Sequence, residues 1–192
     1  MTGPVVRLGI DGPVERDTAD LADAVAARLE AEAVPVARVR ARDFLRARSL
    51  RFEHGRDDPD AFHDLWYDVE ALRREVLDPL GPGGPGHWLP RLRDPETDRS
   101  VRVPYRSAPV GTVAVVDGRF LLRDDVRPGF DLVAHLRVST AARARRVPAE
   151  EAGRVLPAWE RYLSESDPEG KADVVAAFDH PDRPAVLHPR PA

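Results

Sequence analysis

Residues 5 to 29 constrain this chain most strongly, because a short apolar run, Val5 to Ile10, passes through Asp-Gly-Pro directly into an amphipathic helix. A buried strand that ends in a tight turn and feeds a helix is the first half of a strand–helix–strand unit. In the helix, Leu21, Val25 and Leu29 recur on one face, with Ala24 and Ala26 between them. The alternation then continues. Further strands are expected at Pro35 to Val39, Val113 to Val116, Leu132 to Val138 and Ala172 to Phe178, and Val113 to Val116 has the two-sided apolar character of a central parallel strand. Helices are expected around Val69, Leu72, Val76 and Leu77, over Thr140 to Arg146, and from Ala149 to Leu163, where Pro157 should kink or split the last one. This order predicts an α/β fold with a five-stranded, mainly parallel sheet covered on both faces. Residues 79 to 110, rich in Pro, Gly and Arg, read as an excursion over the active face. The segment 180 to 192, with four prolines, reads as a loosely ordered tail behind a single domain spanning 1 to 179.

Composition narrows the function classes. A chain of 192 residues is long enough for one full hydrophobic core. Its net charge is −4 with arginines and acids interspersed, so no nucleic-acid surface is indicated. No apolar run approaches the ~20 residues that span a bilayer, and no signal segment is visible, so a soluble cytoplasmic protein with no membrane partner is expected. The chain has no cysteine, and its six histidines show no paired ligand spacing, so no metal site is expected from protein ligands alone.

The junction at residues 9 to 20 occupies the place of a phosphate-binding loop, GxxxxGK[ST], in which backbone N–H groups cradle phosphates, the lysine reaches the β/γ-phosphates and the hydroxyl holds Mg²⁺. Counted from Gly12, Asp17 replaces the second glycine, Thr18 the lysine and Ala19 the Ser/Thr. No register slip repairs this, since the only lysine is Lys171. The spacing Asp17-x-x-Asp20 suits a helix cap in which Asp17 accepts the N–H bonds a phosphate would otherwise take. A phosphate within ~4 Å of one of these carboxylates would meet about 4 kcal/mol of repulsion per charge pair at an effective dielectric near 20.

Seven segments in order carry a resemblance. They are Gly-Ile-Asp-Gly-Pro (9 to 13), Arg-Asp-Phe-Leu-Arg-Ala-Arg (42 to 48), Arg-Phe-Glu-His-Gly-Arg (51 to 56), Tyr-Asp-Val-Glu-Ala-Leu (67 to 72), Leu-Asp-Pro-Leu-Gly-Pro-Gly-Gly (77 to 84), Val-Val-Asp-Gly-Arg-Phe-Leu-Leu-Arg (115 to 123) and Ala-Asp-Val-Val (172 to 175). Together they span nearly all of the chain and resemble the uridine kinase-like branch of P-loop nucleoside kinases. The resemblance implies a P-loop NTPase-type three-layer sandwich, phosphorylation of a nucleoside 5′-hydroxyl, and ATP with Mg²⁺ as cofactors. Gly12, Pro13, Arg16 and Thr18 of the loop, with Arg143 and Arg146 of the lid, are the residues that would meet the nucleotide, although the replaced loop argues against its binding.

The family's base is an aspartate where this chain has Arg42; the neighbouring Asp43 is the substitute base or else a turn residue. Asp117 matches the acid that supports Mg²⁺ through water, or is a plain Asp-Gly turn. Tyr67 and Asp68 match the pair that holds the ribose hydroxyls, though Asp68 also precedes a helix it could cap. The lid loop is missing, because Arg143, Arg145 and Arg146 run straight into Val147-Pro148. The expected function is therefore a pseudokinase that keeps a nucleoside-like ligand or a partner. The alternatives are an active kinase with a rebuilt phosphate site, or a structural subunit in a homo- or hetero-oligomer with an active relative.

Overall fold

The computed structural model describes residues 5–189. Six strands form the main sheet: β1 (Val6–Asp11), β2 (Val36–Arg40), β3 (Val113–Gly118), β4 (Leu132–Arg137), β5 (Val174–Ala177) and β6 (Ala185–Pro189). Their spatial order is β2-β3-β1-β4-β5-β6, with the first five parallel and β6 antiparallel at the edge. The five parallel strands are the expected ones. The sixth corrects the reading of a loose tail over residues 180 to 189, residues 190 to 192 lying outside the described ones: Ala185–Pro189 pairs with Val174–Ala177 through a shifted register, and proline is compatible with a strand only at such an edge.

The main helices are α1 (Glu15–Ala31), α2 (Pro59–Asp64), α3 (Val69–Leu72, continued by a π turn to Leu77), α4 (Thr140–Arg146) and α5 (Ala149–Ser166). Strand β3 shows why they must cover both faces. Ala114, Val115 and Val116 are all fully buried, and successive side chains point to opposite sides. Val115 packs with Ile10, Ala22 and Leu136 under α1 and α4, whereas Ala114 and Val116 join Phe62, Leu72, Trp159 and Tyr162 under α2, α3 and α5. Residues 79 to 110 form two short antiparallel ladders, His87–Trp88 with Arg106–Ser107 and Arg93–Asp94 with Arg99–Ser100.

Pro157 does not split α5, contrary to expectation. An interior proline costs about 3 kcal/mol, but Val155, Ala158, Trp159 and Tyr162 are all buried, and burying each large apolar side chain contributes about 1.5–3 kcal/mol. Packing wins. A buried polar network ties this helix to the sheet. His135 Nδ1 lies 2.7 Å from Asp11 Oδ2, and the Tyr162 hydroxyl donates to the same oxygen at 3.1 Å while accepting the Leu122 N–H at 3.0 Å. Burial, with the Asp11 charge beside it, pushes the Tyr162 phenol well above its usual pKa.

Parallel register sets the site. Ile10 lies opposite Asp117 across β1 and β3, and the Gly12 N–H donates to Gly118 O, so the turn after β1 and the acid ending β3 share one sheet edge.

Candidate active-site cleft and its neighbouring pocket

Helix α1 starts at Glu15, immediately after the Gly12-Pro13-Val14 turn, so the residues that would form a phosphate-cradling loop are wound into its first turn. The cap position is Val14, which offers no side-chain cap, and this corrects the assignment of that role to Asp17. Asp17 is instead buried in the first turn, where its carboxylate accepts from Arg146 at the end of α4. The turn itself is closed. A Cβ on Gly12 would lie 2.9 Å from the Thr18 methyl and 3.0 Å from Leu136, so glycine is required here by packing.

The acid at the end of β3 is also engaged. Asp117 is buried and takes Arg38 Nη1 from β2 at 2.5 Å, with the Thr18 hydroxyl 3.5 Å away. The stronger bond of that hydroxyl runs to Glu15 O at 2.9 Å. Burial raises the Asp117 pKa above its ordinary value, and Arg38 opposes this. Arg38 in turn holds Asp23 at 2.8 Å.

Arg119, two residues beyond Asp117, is the buried partition of the region. It donates to Pro13 O at 3.0 Å and pairs with Glu15 at 3.6 Å and Glu151 at 3.2 Å. Burial lowers its pKa, but Glu15, Tyr67 and Glu151 outweigh that and hold it above the ordinary arginine value. On one side of Arg119 lies a cleft of about 850 Å³ along α1, containing Arg16, Asp17, Asp117 and Arg146. On the other lies a pocket of about 270 Å³ walled by Phe52, Phe62, Trp66 and Tyr67.

The remaining sequence candidates divide between structural and peripheral positions. Arg16 points to solvent and, among the described residues, pairs only with Asp20, at 3.5 Å. Arg143 is buried away from the cleft, donating to Val138 O at 3.1 Å and to Glu160. Asp43, in the turn after β2, has its pKa raised by burial against the pull of Arg91, Arg40 and Arg42. Arg42 occupies the place of the expected base and pairs with Glu96 and Glu15. Asp68 caps α3, accepting the Ala71 N–H at 3.0 Å. Tyr67 lines the smaller pocket, and burial pushes its phenol above the usual value. Sequence reasoning missed Arg38 and Arg119; the signal for Arg38 was a lone charge inside the apolar run Val36 to Val39.

The chain matches no protein-family model, and no curated protein matches it. Solved structures do. A protein described as a possible uridine kinase from Bacillus stearothermophilus superposes with a TM-score of 0.74 at 25% identity, over 91% of this chain and 90% of that one. A fructose transport system kinase from a Silicibacter species superposes with a TM-score of 0.63 at 17% identity, over 85% and 86%. This is a P-loop kinase fold.

In that fold a triphosphate and its Mg²⁺ sit between the loop and the acid of the third strand. The residues here do not fit them. The loop backbone is helical, Thr18 fills the space over Gly12, a guanidinium occupies Asp117, and Asp17 brings its own charge balanced by Arg146. Among the described residues, no group of three or more His, Asp or Glu side chains is placed to hold a metal ion. Only Val147 and Pro148 separate α4 from α5. Among the described residues, no helix is long and apolar enough to cross a membrane.

Proposed function

We propose that this protein is a uridine kinase-like pseudokinase, one in which phosphoryl transfer has been lost and binding of a small ligand retained. The observation that carries the reading is the pair of internal ion pairs at the two phosphate-handling positions. Arg146 neutralises Asp17 and Arg38 neutralises Asp117. Both charges that a nucleotide and its metal would have to meet are already balanced by protein. A triphosphate entering the cleft would have to displace guanidinium groups and then face the released carboxylates, each costing about 4 kcal/mol at ~4 Å and an effective dielectric near 20.

An active kinase with a rebuilt phosphate site draws less support. Its candidate arginines are Arg16, directed to solvent, Arg143, committed to Val138 and Glu160, and Arg146, which lies in the cleft but is committed to Asp17 and the Phe178 carbonyl. The guanidinium is moreover too broad for the lysine's place inside a loop. The test is calorimetric titration with Mg-ATP. No heat of binding at millimolar nucleotide is expected, and micromolar binding would overturn the reading.

A further inference from the structure

We propose that two copies of this chain dock face to face through helix α1, each α1 filling an apolar groove that the other copy leaves open beside its own. One side of the main sheet is only partly covered. Helix α1 lies over β2, β3 and β1, and α4 covers the upper end of β4 and β5 through Ala142, packed with Leu136, Val138 and Phe178. Below α4 and beside α1, no element among the described residues closes the same face. Register sets Ala134 beside Val174 and Ala176 beside Val186, and the alternation that sends Val133 and Val175 into the opposite core turns these four, with Leu132 and Val6, toward the α1 side. Val186 is 64% exposed, Leu132 48% and Val6 42%, while Ala134, Val174 and Ala176 are half-buried. Parallel sheets are ordinarily covered on both faces, so this floor lacks a layer.

Helix α1 has the converse defect. Nine of its 17 residues are Ala, Leu or Val, yet of these only Ala22 and Ala26 are buried. Leu21, Val25 and Leu29, four apart, form a half-buried ridge on the flank away from Asp23, which turns to Arg38 of β2, so the ridge borders the open floor. Ala24, Ala27 and Ala31 point outward and are exposed. A helix apolar on several sides belongs in an interior. A second copy supplies both missing parts at once: its α1 brings outward alanines to the open floor, and its own floor receives those of the first. The charges flanking the alanines do not oppose this, since Arg16 pairs with Asp20 at 3.5 Å and Arg28 with Glu32 at 2.6 Å, and neutral pairs meet their own copies without the repulsion of like charges. The area is also that of a dimer. Four strands ~4.8 Å apart and about five residues long give a floor of roughly 300 Å², wide enough for one helix. Half the surface of a helix ~25 Å long and ~10 Å across adds roughly 400 Å². Each copy contributes both, close to the ~800 Å² per partner of a standard interface, and the same patch serves on both sides, as a two-fold axis requires.

The experiment is sedimentation of the full chain at micromolar concentration, where a dimer is expected. Leu132→Asp/Val186→Asp puts two charges on exposed side chains of the floor, and Ala24→Arg puts one on the outward side of α1. Each variant should weaken the dimer at least tenfold with its far-ultraviolet circular dichroism unchanged, and Ala24→Arg, on an exposed helix surface, keeps the test open if the floor variant does not fold. Cross-linking then locates the contact, since the chain has no cysteine of its own. A mixture of Ala24→Cys and Leu132→Cys proteins treated with a short bis-maleimide should yield the mixed dimer. Ala24→Cys mixed with Leu50→Cys should not, because Leu50, 51% exposed, lies next to Phe52 of the opposite core. A chain that stays monomeric at high micromolar concentration, a dimer unchanged by both variants, or equal cross-linking to positions 132 and 50 would each overturn the inference.

Discussion

The cleft along α1 and the pocket beyond Arg119 share a wall of Glu15, Arg42, Arg119 and Glu151, yet they carry opposite charge. Seven carboxylates and five arginines line the cleft; two carboxylates and six arginines line the pocket. A P-loop kinase needs cationic and N–H donors in the cleft. Here the cleft has become the acidic side and the arginines have gathered next door. In the cleft, cations serve the protein, each spent on an internal carboxylate. In the pocket, Arg48 and Arg56 have no carboxylate partner among the described residues. The same residue type is therefore structural on one side of Arg119 and available on the other, and only its partners distinguish the roles.

Removing the partition should have the largest effect. Breaking a buried ion pair by deleting one partner costs about 3–5 kcal/mol, because the other charge is left uncompensated. Glu15 and Glu151 are about a quarter exposed, so water relieves part of this, and Arg119→Met should destabilise by about 3 kcal/mol in chemical denaturation. Adding Glu15→Gln and Glu151→Gln should restore much of the loss. If Arg119→Met costs less than about 1 kcal/mol, the two cavities are not divided by a charge-balanced wall, and the contrast between them loses its basis.

The second effect lies inside the cleft and is smaller. Among the described residues, Asp17→Ala leaves Arg146 with the Phe178 carbonyl, at 2.5 Å, and the Asp179 carbonyl. Because Arg146 is itself partly exposed, about 2 kcal/mol is expected. A simple cap would give about 1 kcal/mol whatever residue stood at 146. The double variant Asp17→Ala/Arg146→Ala distinguishes them: an ion pair predicts a loss well short of the sum of the single losses, and additivity would return Asp17 to the role of a local helix device.

These two residues also mark how far the sequence could be read. The scaffold was legible, since parallel strands buried on both faces are continuous apolar runs and three of the five, Val5 to Ile10, Pro35 to Val39 and Leu132 to Val138, have a helix signal after them in the chain. That a carboxylate stands at the start of α1 was legible too, because Asp17 is at a counted position, although its reading as a cap was not, the cap position being Val14. The partner of Asp17 was not legible: Arg146 lies 129 residues away, and nothing local separates it from Arg143, three residues earlier on the same helix but turned toward Glu160. Arg119 was hidden for the same reason, as its role exists only where three chain segments meet. The edge strand Ala185–Pro189 was masked by prolines that an edge position tolerates. Asp11 looked like a turn residue after an apolar run; its burial with His135 and Tyr162 depends on strands and a helix far along the chain.

The smallest effect separates the two regions by the sign of their pH dependence. In the cleft, burial raises the Asp117 pKa above 3.8 despite Arg38. A carboxyl raised in the fold favours the native state below its unfolded value, and that contribution is lost as pH rises through the folded value. Bordering the pocket, burial also pushes Asp98 upward, but the Arg48 N–H and the Arg51 guanidinium prevail and hold it below 3.8. Its contribution has the opposite course: complete above the unfolded value, and lost as pH falls through the lower folded one. Denaturation measured from pH 3 to pH 7 should therefore show Asp117→Asn gaining on the natural protein as pH rises from about 4, while the deficit of Asp98→Asn is full by pH 5 and shrinks below pH 4. Each amide removes one titration and keeps the shape of the side chain. Parallel curves for the two variants would mean that the acids on both sides of Arg119 experience the same environment, and the electrostatic division between cleft and pocket would not survive that result.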